Sequence, residues 1–515
     1  MPPVFVLYAW PVIVAILFGK PRVPAALLIS VTVGYLFLPE QTKIDINIDS
    51  LPPLNKHSIP VLAALVMAFF IGSRIPSGQS RPGWMPQSWV ARLLLVGLVF
   101  GMFMTTLTNG DVLVYGPRFI PGMTVYDSFS LILNAFIAIL PFFLARKFLA
   151  TPEAHRTFLV VLCITGLIYS LLALFEVRMS PQLNRMFYGF FPHSWVQHIR
   201  GDGFRPIVFL EHGLWVAIFF SAAILAVIGL LRLAIPSRRK LFVGAAIWLL
   251  VTLVLVKSLG ALIITLLLAP VILFTGVRIQ FLVAGIVAIF VLTYPLARGV
   301  GLVPTTKILG IAQSINPLRA SSLNTRFTNE DALLAKAQKR VMFGWGGYGR
   351  SRVYAPNGRD ITLQDGQWII IMGQGGWTRY LTEFGLLTIP IILLMWRRRK
   401  YGIGMETSVL AIILAGNLLD LLPNATSTSL TWMFVGALWG RLEMQKIEEI
   451  QASEPVMKPT FRRERMGARE DYLEKQGTQQ RREKAGATPS NRPTEERLKY
   501  ARPGNKLHRR NGPTE

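Results

Sequence analysis

The chain has 515 residues, of which 52% are apolar and only 16% are charged. Soluble globular chains carry about 25% charged residues, so this composition excludes an ordinary soluble protein and predicts a membrane protein. The net charge of +26 is distributed mainly between apolar runs, which is typical of the positive-inside bias and argues against a nucleic-acid partner.

Long uncharged runs predict an all-α polytopic membrane protein with about 12–13 transmembrane helices. Residues 241–275 would extend roughly 50 Å as one helix, so a break at Lys257-Ser258-Leu259-Gly260 divides them into a hairpin. No cleavable signal peptide is expected, because the first basic residue, Lys20, follows the first apolar run. The predicted spans are 4–19, 23–38, 58–73, 88–108, 126–145, 157–176, 207–231, 241–256, 259–275, 280–297, 380–396, 405–422 and 426–440.

The short basic connections all fall on one side if the N-terminus lies outside the cell, as the positive-inside bias requires. This orientation predicts a multi-pass inner-membrane protein with two large extracytoplasmic loops, 177–206 and 298–379. Residues 1–440 then form the transmembrane body. Residues 441–515 contain 18 Lys/Arg and 12 Asp/Glu and are predicted to be a disordered, charged cytoplasmic tail, with some helix from 441 to about 452.

The second loop contains eleven Lys/Arg against four acids, which indicates an anionic ligand such as a phosphate. The alternative is a solvated basic loop attracted to lipid head groups. Within it, a short amphipathic helix is predicted to begin at a cap, Thr328 or Asn329. A glycine-rich turn, Phe343-Gly344-Trp345-Gly346-Gly347-Tyr348-Gly349, ends that helix, and Arg350 follows at once.

Four features follow one another in an order that resembles the O-antigen ligase and polymerase superfamily. They are Arg326, the amphipathic helix, this turn and a span opening Tyr380-Leu381-Thr382-Glu383-Phe384-Gly385-Leu386-Leu387. The exopolysaccharide polymerase branch is the closer likeness, over about 200–390. A small-residue motif of that superfamily, commonly Ser-Arg-Gly, matches Ser258-Leu259-Gly260. Its arginine is absent here, and the neighbouring Lys257 is the replacement charge.

The resemblance implies a membrane-embedded, glycosyltransferase type C-like enzyme that needs no cofactor and no metal. Such an enzyme polymerises undecaprenyl-diphosphate-linked oligosaccharide repeat units on the periplasmic face of the lipid bilayer. Polysaccharide export machinery is a further partner that the tail could serve. The cations expected to bind the diphosphate and stabilise it as the leaving group are Arg205, Lys257, Arg326, Arg340 and Arg350.

The group that activates the acceptor hydroxyl is left open among Glu211, Asp365 and Gln374. Ligases of the superfamily have a histidine eleven residues before the last glycine, and counting back from Gly385 gives Gln374, which cannot act as a general base. Asp420 is a further acid near a span end, where it could pair with Asn417.

Trp345 and Trp368 are expected to stack on sugar rings, although aromatic residues are also ordinary interface anchors. The single cysteine, Cys163, is expected to pack in the core. His193 and His198 flank Trp195 without nearby acid or thiol partners, so no metal site is predicted there.

Three other functions stay open. A ligase of the same superfamily is disfavoured by Gln374. A lipid-linked glycan transporter or flippase would be expected to show internal repeats and charges in the middle of the membrane, which the sequence lacks. A non-enzymatic scaffold for an export machine is the third.

Overall fold

A computed structural model of the chain describes residues 2–20, 22–46, 51–72, 81–200, 203–315, 317–397 and 403–453. Helices dominate, with two short antiparallel hairpins, β1 (Leu113–Tyr115) with β2 (Arg118–Ile120) and β3 (Ile199–Arg200) with β4 (Gly203–Phe204). The helices are α1 (Pro3–Phe18), α2 (Val23–Phe37), α3 (Ile59–Gly72), α4 (Trp89–Leu107), α5 (Val125–Phe148), α6 (Pro152–Met179), α7 (Leu183–Tyr188), α8 (Gly213–Leu233), α9 (Pro236–Leu255), α10 (Leu259–Phe274), α11 (Val277–Gly299), α12 (Thr305–Ile315), α13 (Pro317–Ala337), α14 (Gln367–Arg397), α15 (Met405–Asp420) and α16 (Ser429–Ser453).

Among the described residues, six helices are long and apolar enough to cross a membrane: α4, α5, α6, α8, α11 and α14. Four shorter apolar helices, α1, α2, α3 and α10, accompany them. Every predicted span overlaps one of the helices, and the predicted break at Lys257 separates α9 from α10. The prediction of a mostly helical, polytopic membrane protein is therefore confirmed.

Helix α8 is the central element of the core. It is the most buried of the six long apolar helices, whereas α4 and α5 are the least buried. Large apolar side chains such as Phe100 on α4 and Phe129 on α5 are exposed, as expected of surfaces that face lipid rather than water. Cys163 is buried on α6, as predicted.

Two glycines let α16 pack directly against α5. A Cβ added to Gly436 would lie 2.3 Å from the carbonyl oxygen of Phe142, and one added to Gly440 would lie 2.4 Å from that of Arg146. This four-residue spacing of small residues is a common way for membrane helices to approach closely. Arg146 and Glu443 form a buried ion pair beside this contact.

The loop 298–379 is mostly helical, and the predicted start of its amphipathic helix is wrong. Helix α13 begins at Pro317, so Thr328 and Asn329 lie in its interior rather than at a cap. Their side chains instead donate to backbone oxygens one turn back, at distances of 3.0 and 2.7 Å. The capping argument failed because the same polar side chains can bond to a helical carbonyl.

Helix α14 begins inside the predicted loop, at Gln367, and is kinked at Gly376, where φ is +60°. The glycine-rich turn (343–349) packs against this kink. Trp345 N–H donates to Gly373 O at 2.9 Å, and Gly346 N–H donates to Gln374 O at 2.8 Å. Gly344 has φ +62°, and a Cβ there would lie 2.5 Å from the carbonyl carbon of Gln374. Only glycine fits this close backbone approach.

Helix α16 continues to Ser453, which confirms the helix predicted from 441 to about 452 after the last span. Residues 454–515 lie outside the described residues, so the disordered tail stays a prediction.

Candidate functional site

A cavity of about 810 Å³ lies where the α9–α10 break, the start of α8, helices α12 and α13 and the turn after α15 meet. Ligand pockets usually measure about 300–1,000 Å³, so this one is large enough for a diphosphate with part of a sugar or lipid. Its charged and amide-bearing lining residues are Arg205, Lys257, Arg326, Asp420 and Asn424. Three of the five cations predicted to bind diphosphate are therefore brought together.

Arg205 and Lys257 form one wall of the cavity. Arg205 Nη2 donates to the carbonyl oxygen of Lys257 at 3.0 Å, which ties the segment before α8 to the α9–α10 break. Lys257 adopts φ +58°, a left-handed conformation that is uncommon for a residue with a Cβ. A Cβ on Gly203 would lie 2.8 Å from Lys257 Nζ, so this glycine makes room for the ammonium group.

Arg326 approaches from α13 on another side. Its Nη1 donates to Pro423 O at 2.7 Å and to Asn424 Oδ1 at 3.1 Å. Its Nε lies 3.7 Å from the carboxylate of Asp365. These contacts join the loop helix to the turn after α15 and orient a guanidinium group that is still 28% exposed. A guanidinium held in this way retains donors for a phosphate.

Asp420 is the acid of the cavity. Its two carboxylate oxygens accept from Asn424 Nδ2 at 2.8 Å and from Thr426 Oγ1 at 2.7 Å, and its side chain is buried. The expected pairing with Asn417 is wrong, because Asn417 Oδ1 accepts from Thr431 at 2.7 Å instead. Asp420 thereby fixes the turn that carries Asn424.

The cavity also has an apolar side. Val254 and Leu259, at the facing ends of α9 and α10, line it and are 53% and 48% exposed. Leu253 and Leu262 line it from the same helices. Apolar side chains exposed on apolar helices face lipid. The cavity therefore joins a cationic region to a surface suited to a hydrocarbon chain.

The structure does not bring Arg340 and Arg350 to this cavity. They form a separate cluster with Asp111, here called the Asp111 cluster, in which Asp111 lies 2.8 Å from Arg340 Nη2 and 3.2 Å from Arg350 Nη2. Arg350 is fully buried and also donates to the carbonyl oxygens of Trp345, Asp111 and Pro121. Burial would raise the pKa of Asp111, but the hydrogen bond and charge of Arg340 hold that pKa below its usual value. Backbone and Asp111 oxygens accept from both arginines, which join this part of the loop to the segment around Asp111; their predicted role in binding diphosphate stays a prediction.

Neither predicted sugar-stacking tryptophan lines the cavity among the described residues. Trp345 is half-buried in the Asp111 cluster, with the Arg340 guanidinium 4.2 Å from its ring centre and its Nε1–H donating to Lys336 O at 2.8 Å. Trp368 is fully buried at the start of α14, where it packs edge-on against Tyr294. Trp368 has no exposed face for a sugar, because its predicted loop is the first turn of a core helix.

The three residues proposed to activate the acceptor are in three different places. Asp365 is 43% exposed and adjoins Arg326 at the cavity. Gln374 lies at the α14 kink, where its Oε1 accepts from Arg379 Nη1 at 2.9 Å. Burial, with a smaller contribution from Glu40, raises the pKa of Glu211. Of the three, Asp365 is the one that contacts a cation lining the cavity.

Several residues of the site were not identified from the sequence. Asn424 and Thr426 lie in a turn with no motif, and Asp111 is 229 positions before Arg340. His212 is not among the residues singled out from the sequence, yet its ring lies 5.0 Å from those of both His193 and His198. The approach of these side chains depends on long-range packing, although the spacing of three histidines within twenty residues was a usable signal.

The motifs behind the family resemblance now have positions in the fold. Arg326 lines the cavity, the glycine-rich turn packs on the α14 kink, and the span opening at Tyr380 is the part of α14 beyond that kink. Ser258 and Gly260 line the cavity beside Lys257. No protein-family model matches this chain, and no curated protein matches it.

Proposed function

We propose that this chain is a membrane glycosyltransferase that polymerises undecaprenyl-diphosphate-linked oligosaccharide repeat units on the periplasmic face of the bacterial inner membrane. The observation that carries the proposal is the mixed character of one cavity. Arg205, Lys257 and Arg326 line its polar part, and Val254 and Leu259 open its apolar part toward lipid. A lipid diphosphate has the same two parts, an anionic head and a hydrocarbon chain.

The three cations are assigned to the leaving group. In glycosyl transfer from a lipid diphosphate, the bond between the anomeric carbon and the diphosphate oxygen breaks, and negative charge develops on that oxygen. Fixed cations that face this charge stabilise the transition state without reorganising. Arg326 is suited to this role because Pro423, Asn424 and Asp365 already orient its guanidinium group.

Asp365 is assigned to the acceptor. A sugar hydroxyl of the second repeat unit attacks the anomeric carbon, its oxygen forms the new glycosidic bond, and its proton passes to the Asp365 carboxylate. The diphosphate departs with the bonding electrons, so a single displacement inverts the anomeric centre. The 3.7 Å contact between Asp365 and Arg326 supports the assignment to the same site, because it puts this carboxylate at the edge of the cationic cavity.

The superfamily's ligase activity and a flippase activity are the competing functions. Gln374, which stands where ligases have a histidine, is hydrogen-bonded through its acceptor oxygen to Arg379, and an amide has no basic site to take a proton. A flippase would move the lipid diphosphate without lengthening the glycan.

The test uses purified full-length protein in lipid nanodiscs with a lipid-linked oligosaccharide, and follows the length of the lipid-linked product. Arg326→Ala removes a cation of the cavity. Arg352→Ala is the matched control, because Arg352 lies in the same loop, is 46% exposed and pairs with Asp360. Loss of one charge-assisted hydrogen bond costs about 1.5–3 kcal/mol, which corresponds to about a 10–100-fold lower rate.

Longer lipid-linked glycans made by the unmodified protein, with a rate loss for Arg326→Ala and none for Arg352→Ala, would support the proposal. Transfer of the glycan to a different lipid acceptor would point to a ligase instead. Movement of the unlengthened substrate across the bilayer, with no new glycosidic bond, would replace the proposal with a flippase.

A further inference from the structure

Three histidines converge in the segment that leads into α8, outside the cavity described above. His193 lies just before a single 3-10 turn (Trp195–His198), and His198 is the last residue of that turn. His212 immediately precedes α8. One ligand nitrogen from each lies within 4.8 Å of the others. The ring centres of His193 and His198 are 5.6 Å apart, and each lies 5.0 Å from the ring centre of His212.

The fold holds these rings in place from several directions. The β3–β4 hairpin turns the chain back, so that Arg205 N–H donates to His198 O at 2.8 Å. Phe191 packs edge-on against His198, which is fully buried. Aromatic packing and a backbone hydrogen bond thus fix the middle histidine of the group.

The chemistry of the group suits a metal ion, because imidazole nitrogens are ordinary ligands of Zn²⁺. His193 Nδ1 is buried and has no hydrogen-bond partner among the described residues. Buried polar atoms in native proteins are nearly always satisfied, and a metal ion would satisfy this nitrogen.

We propose that His193, His198 and His212 form a binding site for Zn²⁺, with a fourth coordination position open to water or a ligand. Three imidazoles with one open position are a common zinc ligand set, with Zn–N distances of about 2.0–2.1 Å. Nitrogens of a tetrahedral zinc lie about 3.4 Å apart, so nitrogens up to 4.8 Å apart must close by at most about 1.4 Å. Small side-chain rotations achieve this closure.

Metal binding would compete with a hydrogen bond of His212. His212 Nδ1 accepts from Leu214 N–H at 3.1 Å, a hydrogen bond that caps α8. Coordination through Nδ1 displaces that hydrogen bond directly. Coordination through Nε2 moves the imidazole proton to Nδ1, which then can no longer accept. One neutral hydrogen bond is small beside three metal–nitrogen bonds, so the cap does not prevent binding.

The site would connect the 189–212 segment to the start of α8. His198 is joined through its backbone to Arg205, so zinc would also order the segment that places Arg205 at the cavity. The inference does not depend on the polymerase activity, because metal binding is measured directly.

The test uses the full-length protein with a tag that contains no histidine. The protein is stripped with a chelator, equilibrated with Zn²⁺, freed of excess metal and analysed for bound zinc. We expect one zinc per chain, with affinity weakened by about 100-fold or more in His193→Ala and in His212→Ala, since even outer-shell changes cost 10–100-fold. His57→Asn is the matched control, since His57 bonds to Glu40 and is not one of the three ligands.

A second measurement keeps the proposal testable if a variant folds poorly. Co²⁺ added to the stripped, unmodified protein should give the visible absorption of a four- or five-coordinate site with nitrogen ligands, and Zn²⁺ should abolish it. Hydrogen exchange across 193–212 should also slow when zinc is added. Zinc retention well below one per chain, a Co²⁺ spectrum of hydrated ion only, or equal retention by His193→Ala and the unmodified protein would each overturn the proposal.

Discussion

The buried ion pair between Arg146 and Glu443 allows a quantitative test of how α5 and α16 are joined. Both side chains are almost completely buried, at 0% and 4% exposure. Arg146 also donates to the carbonyl oxygens of Gly83 and Trp84. Glu443 has fewer partners, because besides Arg146 it accepts from Gln87 N–H at 2.9 Å.

This asymmetry predicts unequal effects of the two single substitutions. Arg146→Met leaves a buried carboxylate with one backbone donor, and breaking a buried pair in this way costs about 3–5 kcal/mol. Glu443→Gln leaves the guanidinium with two carbonyl partners and should cost less, about 1–3 kcal/mol. The double variant Arg146→Met/Glu443→Leu removes both charges and should be more stable than Arg146→Met alone, because no buried charge is left unpaired.

The measurement is the unfolding of purified protein in mixed micelles as the fraction of a denaturing detergent is increased, read by circular dichroism. A loss of 3–5 kcal/mol lowers the folding equilibrium constant by roughly a hundred-fold to several thousand-fold. If the effects of Arg146→Met and Glu443→Leu simply add in the double variant, the two groups do not interact, and the assigned pairing is refuted.

Three further results are expected. Asp111→Asn removes the charge that pairs with the buried Arg350, so hydrogen exchange in the glycine-rich turn should speed up; unchanged exchange would contradict the structural role of the Asp111 cluster. Burial raises the pKa of Glu330 to about 7, against the opposing charge of Arg298. Because the folded-state pKa of Glu330 is raised, its contribution to stability is complete below the unfolded value of about 4.3 and is lost as pH rises through about 7. Opening of α13 should therefore increase over that window, measured by hydrogen exchange corrected for its intrinsic pH dependence. The increase should be absent in Glu330→Gln. Gly344→Ala places a Cβ 2.5 Å from a backbone carbonyl carbon at φ +62°. It should lower the free energy of unfolding by at least about 2 kcal/mol, visible as a lower Tm. An unchanged Tm would mean that the turn does not pack against α14.

The helices could be predicted from the sequence because apolar runs of membrane length have few alternatives to helix. The Lys257 break could be predicted because an unbroken helix would be too long. Arg326 was identified through its place in a motif, and it lines the cavity. Arg340 and Arg350 follow Arg326 in the sequence, but they lie outside the cavity because they pair with Asp111. Asp111 is remote in the chain, so the local pattern did not indicate this pairing.

Trp368 and His212 show two other limits of sequence reasoning. Trp368 falls in the predicted loop 298–379, whereas α14 begins at Gln367, continues through the kink at Gly376 and buries the indole. His212 lies fourteen residues after His198 with no motif between them, and a short hairpin brings the two histidines together. In both cases a local pattern was interpreted without the long-range packing that decides it.

The backbone bonding between the glycine-rich turn and the α14 kink limits how this region can vary during evolution. Hydrogen bonds from Trp345 and Gly346 to one side of the kink, and from Trp377 to Val341 on the other, fix the number of residues between them. A one-residue insertion or deletion between Val341 and Trp345 would shift the bonds on one side of the kink relative to those on the other. Homologous chains should therefore keep the length of this segment constant, even where its side chains differ.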